Sequence, residues 1–219
     1  MRYSDDPGDR GVRRARNSPR SPRVSKDPGE RKQEIIETAL ELLAEKGYHE
    51  LNVQDITDRM NVSPGLCYRY FKSKTDIFAA ASEFYAMKMV EQVKLPLAQD
   101  IPVTEKLKLV INRIFEFTKK HDEFEARYSE GEDIRSIYLD HVAEQWTRVL
   151  LPVVEQGVKE DIFHCTDASA ATYFLIFGLI HTFHRNMPSQ NTGEYMTSYL
   201  DFTHEMFARV LGIPADSLR

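Results

Sequence analysis

The stretch SPGLCYRYFKSK, Ser63 to Lys74, decides how the chain folds around it. Ser63 is a preferred N-cap and Pro64 a preferred first helical residue, so a helix starts there. Ser73, followed three residues later by Asp76, is a second start with the pattern of a capping box. The helix between them is barely two turns long. At about 100° per residue its wheel puts Cys67 and Phe71 on one apolar edge. Gly65, Arg69 and Leu66 fall on the far side, with Tyr68 and Tyr70 on opposite flanks. A core role for the aromatics fits Phe71 and partly Tyr68. It fits Tyr70 and Arg69 poorly.

Upstream, Ile36, Ala39, Leu40 and Leu43 recur at helical spacing from Glu30, and Gly47 fits a C-terminal cap. Asn52 caps a short second helix with Val53, Ile56 and Met60 on one face. Asn61 tolerates the left-handed backbone of a tight turn. Two short helices joined by about three residues and set on a first helix make a helix-turn-helix. In a major groove, Arg69 and Leu66 face base edges, the two phenols face the phosphate walls, and Gly65 permits close approach. Lys74 opens the next helix, where the N-terminal dipole favours a phosphate. Gln54, Ser63, Pro64 and Lys72 complete the candidate DNA-binding set.

The segment RKQEIIETALELLAEKGYHELNVQDITDRMNVSPGLCYRYFKSKTDIF resembles the DNA-binding domain of the TetR family of bacterial transcription regulators. The resemblance rests on A-x-x-L-x-x-x-K-G-Y, on V-x-D-I, and on Y-x-Y-F-x-S-K-x-D-I. It implies an all-α fold in which Tyr68 and Tyr70 contact the DNA backbone and Lys74 holds a phosphate. It also implies a homodimer on a near-palindromic operator, and C-terminal helices that carry an inducer pocket and the dimer interface. The chain departs from the pattern at four positions. Asn61 stands for a glycine, Val53 for Thr or Ser, Cys67 for a core Leu, and Leu66 for a hydroxyl residue on the reading face. Leu66 can meet a thymine methyl but cannot hydrogen-bond.

Charge places any nucleic acid toward the N-terminus. Lys plus Arg against Asp plus Glu number 8 against 5 in residues 1–30, 7 against 8 in 31–78, and 14 against 21 in 79–219. Residues 1–29 carry almost no large apolar residue and are expected to be disordered. They are either a solvated tail or a basic arm (Arg13, Arg14, Arg16, Arg20, Arg23) lying along DNA. Two isolated cysteines, Cys67 and Cys165, point to a reducing, cytoplasmic compartment. No apolar run is long enough for a membrane span.

The rest reads as helices over about 74–94, 104–121, a short one within 121–133, 133–161 with a kink at Pro152, 168–187 and 193–211. With the first three that is an all-α fold of about nine helices. The expected division is an arm over 1–29, a helix-turn-helix domain over 30–78 (motif about 52–71), and a ligand-binding and dimerisation domain over 79–219. The last two helices carry more apolar surface than one core face needs. Phe174, Gly178, Phe183, Tyr195, Tyr199, Phe202 and Met206 are candidates for a dimer interface closing a four-helix bundle, or for packing within one chain. Tyr138, His141, Gln145 and Trp146, with Phe117, His121, Phe124, Tyr128, Phe177 and His181, mark a pocket for an unidentified small molecule, or the polar edge of a core.

His181 and His184, and His164 beside Cys165, lack a third ligand at metal-site spacing, so no metal or cofactor is expected. No Walker loop, zincin motif, nucleophile elbow or GxGxxG occurs, which argues against an enzyme. The functional expectation is a ligand-responsive repressor. An activator of the same fold, or a helical-bundle carrier or enzyme, are the alternatives.

Overall fold

Asp27 accepts a hydrogen bond from the Gly29 N–H and opens α1, Pro28–Glu50. The structure, a computed structural model, describes residues 27–128, 132–188, 190 and 192–218, the side chains of 95, 96, 120–128, 132 and 133 excepted. The candidate arm, apart from its last residues, and the side chains of His121, Phe124 and Tyr128 lie outside the described residues. α1 buries Ile35, Ile36, Ala39, Leu42 and Leu43, one stripe at helical spacing. Gly47 interrupts it with φ 79° and ψ 171°, a conformation suited to glycine.

α2, Val53–Arg59, starts from a complete capping box: the Asp55 N–H donates to the Asn52 side chain and the Asn52 N–H donates to Asp55. Lys46 reaches Asp55 at 2.8 Å and Arg59 reaches Glu45 at 2.8 Å, so two ion pairs tie α2 to α1. Asn61 turns the chain with φ 53° into α3, Pro64–Tyr68. The expected second capping box is present at α4, Lys74–Leu97. Asp76 accepts from Lys72 and Ser73 N–H groups, and the Asp76 N–H donates to the Ser73 hydroxyl. At Ser63 the expectation needs correcting, because the residue has extended N-cap backbone but its hydroxyl makes no capping bond.

Five elements follow: α5 Val103–Tyr128, α6 Glu132–Lys159, α7 Ala168–Asn186, α8 Thr192–Val210 and a 3-10 turn at Ala215–Leu218. Eight α-helices are therefore found among the described residues, not nine. The short helix expected after His121 is the end of α5, whose whole span contains neither glycine nor proline to stop it. α4 also runs past Pro96, and the Ala98 N–H still reaches the Lys94 carbonyl at 3.1 Å. α6 carries Pro152 inside one continuous helical span.

α6 packs on α4, α5 and α7 and lends the core Tyr138, Val142, Trp146, Leu150 and Val154. Each large apolar side chain so buried contributes about 1.5–3 kcal/mol. The same buried cluster takes in Leu42, Cys67 and Phe71 of the N-terminal helices, so one core runs from α1 to α8. The turn after α6 is tightly built. Asp161 has φ 56°, Phe163 folds back beneath Gly157, and the His164 N–H donates to the Leu211 carbonyl at 2.8 Å.

A Cβ on Gly157 would lie 2.1 Å from the buried Phe163 ring. Gly157→Ala should therefore destabilise the chain by about 1–3 kcal/mol in urea denaturation. A second outcome concerns pH. Lys46, with the Asn52 N–H, holds the Asp55 carboxyl below its ordinary pKa of 3.8. A lowered carboxyl contributes stability that is present above the unfolded value and lost as pH falls through the folded one. Asp55→Asn should lower the denaturation midpoint at neutral pH, and the gap to the wild type should close below the carboxylate range.

Candidate nucleic-acid interface

Cys67 and Phe71 are buried, as the wheel of the third helix requires, and they fasten α3 to the core. Gly65, Tyr68 and Arg69 are thereby turned outward, Tyr68 being 59% exposed. Leu66 is half-buried at the edge of this face. The α-helix proper spans Pro64–Tyr68, but Arg69 keeps right-handed helical backbone and the Phe71 N–H still donates to the Cys67 carbonyl at 3.0 Å, so a last turn carries Tyr70 and Phe71. Tyr70 is half-buried and packed against the core, which departs from the expected free flank. Three residues on from Cys67 at about 100° each, it lies only about 60° round from that buried edge, so its ring stays with the apolar cluster.

Gly65 has no steric reason to be glycine. Its φ is not in the left-handed region, and a Cβ built there meets nothing within 4 Å. A helical glycine costs roughly 0.5–1 kcal/mol relative to alanine. The fold accepts that cost without using the space.

Lys74 lies over the Tyr48 ring, 4.2 Å from its centroid. Partial burial pulls its pKa below the ordinary 10.5, and the nearby Asp55 carboxylate opposes this. The Tyr48 hydroxyl lies 3.2 Å from that of Thr75. A cleft of about 670 Å³ opens among the end of α1, α2 and α3. It brings together Gln54, Pro64, Tyr68 and Lys74 from the candidate set, and adds His49 and Asn52. Tyr48 and His49 were not among the candidates, although they follow directly on Gly47, which kinks α1 rather than capping its end as expected. Lys72 and Ser63 are exposed on the same short stretch. One continuous surface thus offers hydroxyls, an amide, two histidine ring nitrogens and cations, all chemistries that meet phosphate or base edges.

The other candidates separate into groups. Tyr85 joins Phe117 (5.8 Å between ring centroids) and Tyr138 (6.2 Å), with Trp146 buried nearby on α6. Gln145 is buried and His141 half-buried. Phe177 stacks on His181, which reaches Asp140 at 3.1 Å. The crevice bordered by Phe117 and Trp146 measures only about 30 Å³. A larger groove of about 370 Å³ runs between α7 and α8, along Phe174, Gly178, Tyr199, Phe202 and Met206. Phe174 is 68% and Phe202 50% exposed. Phe183 is not on this face. It is buried against Phe115, Tyr195 and Tyr199, and the Tyr195 hydroxyl donates to its carbonyl. No group of three or more potential metal ligands is found among the described residues. No helix among them is long and apolar enough to cross a membrane.

Residues 35–81 match the profile of bacterial regulatory proteins of the tetR family. The chain is 34% identical over 82 residues to the fatty acid metabolism regulator protein of Bacillus subtilis, covering 37% of this chain and 42% of that protein. It is 29% identical over 161 residues to the transcriptional activator FasR of Mycolicibacterium smegmatis, covering 73% and 65%. The chain thus spans less than two-thirds of the length of either relative. Among solved structures, it aligns with FadR from Bacillus subtilis in complex with stearoyl-CoA at TM-score 0.53 and 21% identity, over 78% of this chain and 96% of that one. RolR in complex with resorcinol aligns at TM-score 0.63 and 16% identity, over 87% and 91%. Over residues 35–81 the chain is therefore similar to bacterial regulatory proteins of the tetR family.

Proposed function

We propose that this protein is a DNA-binding transcription regulator that acts in the cytoplasm as a homodimer and releases its operator when a small molecule binds. The observation that carries the reading is Gly65, an outward-facing helical glycine for which the fold has no use. In this reading a partner outside the molecule approaches that backbone closely, and the cleft beside it holds Tyr68 and Lys74. A base edge in a major groove fits both features. Arg69 and Leu66 read bases in this proposal. Ser63, whose hydroxyl no capping bond consumes, joins Tyr68, Lys72 and Lys74 in gripping phosphate. α1–α3 act as the DNA-binding unit and α4–α8 as the ligand-binding and dimerisation unit.

Repression is the favoured sign of regulation. Activation is the second reading, because FasR, the relative matched over the greatest share of this chain among those described, is an activator. A reporter gene behind the selected operator, with and without the protein, decides between them. In this proposal the inducer enters beside the Tyr85, Phe117 and Tyr138 rings, which favours an apolar or aromatic ligand. The fatty acid regulator among the relatives makes long-chain acyl-CoA the first compound to assay. An enzyme or carrier would leave the α3 surface idle, and the variants below separate that alternative.

Selection of bound DNA from a random pool, followed by fluorescence anisotropy, tests the reading. Gly65→Ala should leave folding unchanged or stabilise it by up to about 1 kcal/mol. The same substitution should weaken operator binding at least tenfold. Lys74→Gln should weaken binding on all sequences alike and reduce the salt slope by about one. No measurable binding by the wild type at low salt would reject the function.

The exposed aromatics of α7 and α8 should close the homodimer. Phe174→Asp with Phe202→Asp should turn a dimer into a folded monomer in sedimentation velocity. A wild type that is already monomeric at micromolar concentration would remove the dimer from the proposal.

A further inference from the structure

A second groove, of about 310 Å³, lies where the end of α4, the start of α5 and the middle of α6 meet. Its floor is apolar, formed by Leu97, Val149 and Pro152 among others, and three cations rim it: Lys94, Lys106 and Arg148. This is an unusual grouping for its surroundings. Residues 79–219 carry 21 acidic against 14 basic side chains. Dispersed surface lysines would normally be matched by neighbouring carboxylates.

The three cations are only lightly engaged. Lys94 pairs with Glu91 on its own helix, both more than half exposed, which is worth little in water. Lys106 is half-buried and donates to the neutral Gln156 amide oxygen at 3.2 Å, while the Gln156 amide nitrogen donates to Glu160. Arg148 is exposed, and its planar guanidinium suits a bidentate oxyanion. The groove also lies beside the first turn of α5, the positive end of that helix. The volume is at the low end of ligand pockets, about 300–1,000 Å³.

We propose that this groove binds a small soluble amphipathic phosphate, its apolar chain on Leu97, Val149 and Pro152 and its phosphate among Lys94, Lys106 and Arg148. Three cations around one groove match a doubly charged phosphate better than a single carboxylate, and the apolar floor distinguishes the ligand from free inorganic phosphate. The site is distinct from the aromatic cluster at Tyr85, and binding there does not depend on the DNA-binding reading. Its occupant would bear on the far end of α4, whose first residue is Lys74.

Isothermal titration of the full chain with octyl phosphate tests the proposal, with octanol, octanoate, inorganic phosphate and vesicles of anionic phospholipid as comparisons. The expected result is saturable binding of octyl phosphate at one site per chain. It should be at least tenfold tighter than for octanol, octanoate or inorganic phosphate, and it should weaken as salt rises. Arg148→Gln should weaken it at least tenfold with an unchanged melting temperature, and Lys94→Gln combined with Arg148→Gln should weaken it further. Equal affinity for octanol, binding untouched by Arg148→Gln, or binding only to vesicles would each overturn the proposal. DNA affinity measured separately keeps the two readings apart: loss of operator binding leaves the calorimetry intact.

Discussion

The packing around Tyr48 holds the end of α1 and the start of α4 in register. Its ring meets Phe78 edge to face at 5.0 Å, carries the Lys74 ammonium 4.2 Å above its centroid, and places its hydroxyl 3.2 Å from that of Thr75. One side chain from the last turn of α1 therefore fixes the first turn of α4. The capping box at Ser73 and Asp76 fixes that turn from the other side, by taking up the Lys72 and Ser73 N–H groups. α3 hangs between these two fixed points, joined to the core by Cys67 and Phe71. A five-residue helix has almost no stability of its own, since nucleation alone outweighs its few hydrogen bonds. Its orientation is imposed by what flanks it, and the surface proposed for DNA inherits its rigidity from Tyr48 and Asp76.

This arrangement explains what could be read from the chain in advance. Caps are local chemistry, so Asn52, Ser73 and Asp76 could be placed from sequence alone, as could the turn at Asn61. The length of α5 depends on a stretch with no punctuating residue, and there the charged run after His121 resembled a break that the backbone does not make. Tyr70 was expected on a free flank, yet it lies only about 60° round the wheel from Cys67, so its half-burial follows from the spacing itself. Phe183 was grouped with Phe174 as an interface residue, yet nine residues at about 100° each put the two on opposite faces of α7. One is buried under Tyr195 and Tyr199 and the other stands in solvent.

The candidate ligand residues divide along the same line. Tyr85, Phe117 and Tyr138 meet because α4, α5 and α6 cross there, and Tyr85 carried no signal in the sequence beyond an apolar helix face. The cationic groove was equally hidden. Lys94, Lys106 and Arg148 are 12 and 42 residues apart in the chain, and each looks like ordinary surface charge until three helices bring them to one rim.

Among the described residues, two of the departures from local folding rules face outward. Gly65 sits in a helix where alanine would fit, and Phe174 and Phe202 stand in water beside a groove that their own chain does not fill. A sequence consistent at every level would have neither feature. Each departure costs free energy in the isolated chain. Burial of the aromatics against a second copy, and approach of a base edge to Gly65, would each recover it. The two lie at opposite ends of the succession of helices, with α4 and α6 packed between them. If a dimer fixes the α7–α8 pair, the separation of two α3 helices is set by the tilt of α4 relative to that pair. A ligand that changes this tilt need not touch α3, because the Tyr48 contact transmits the position of α4 to α1 and through it to the whole N-terminal unit.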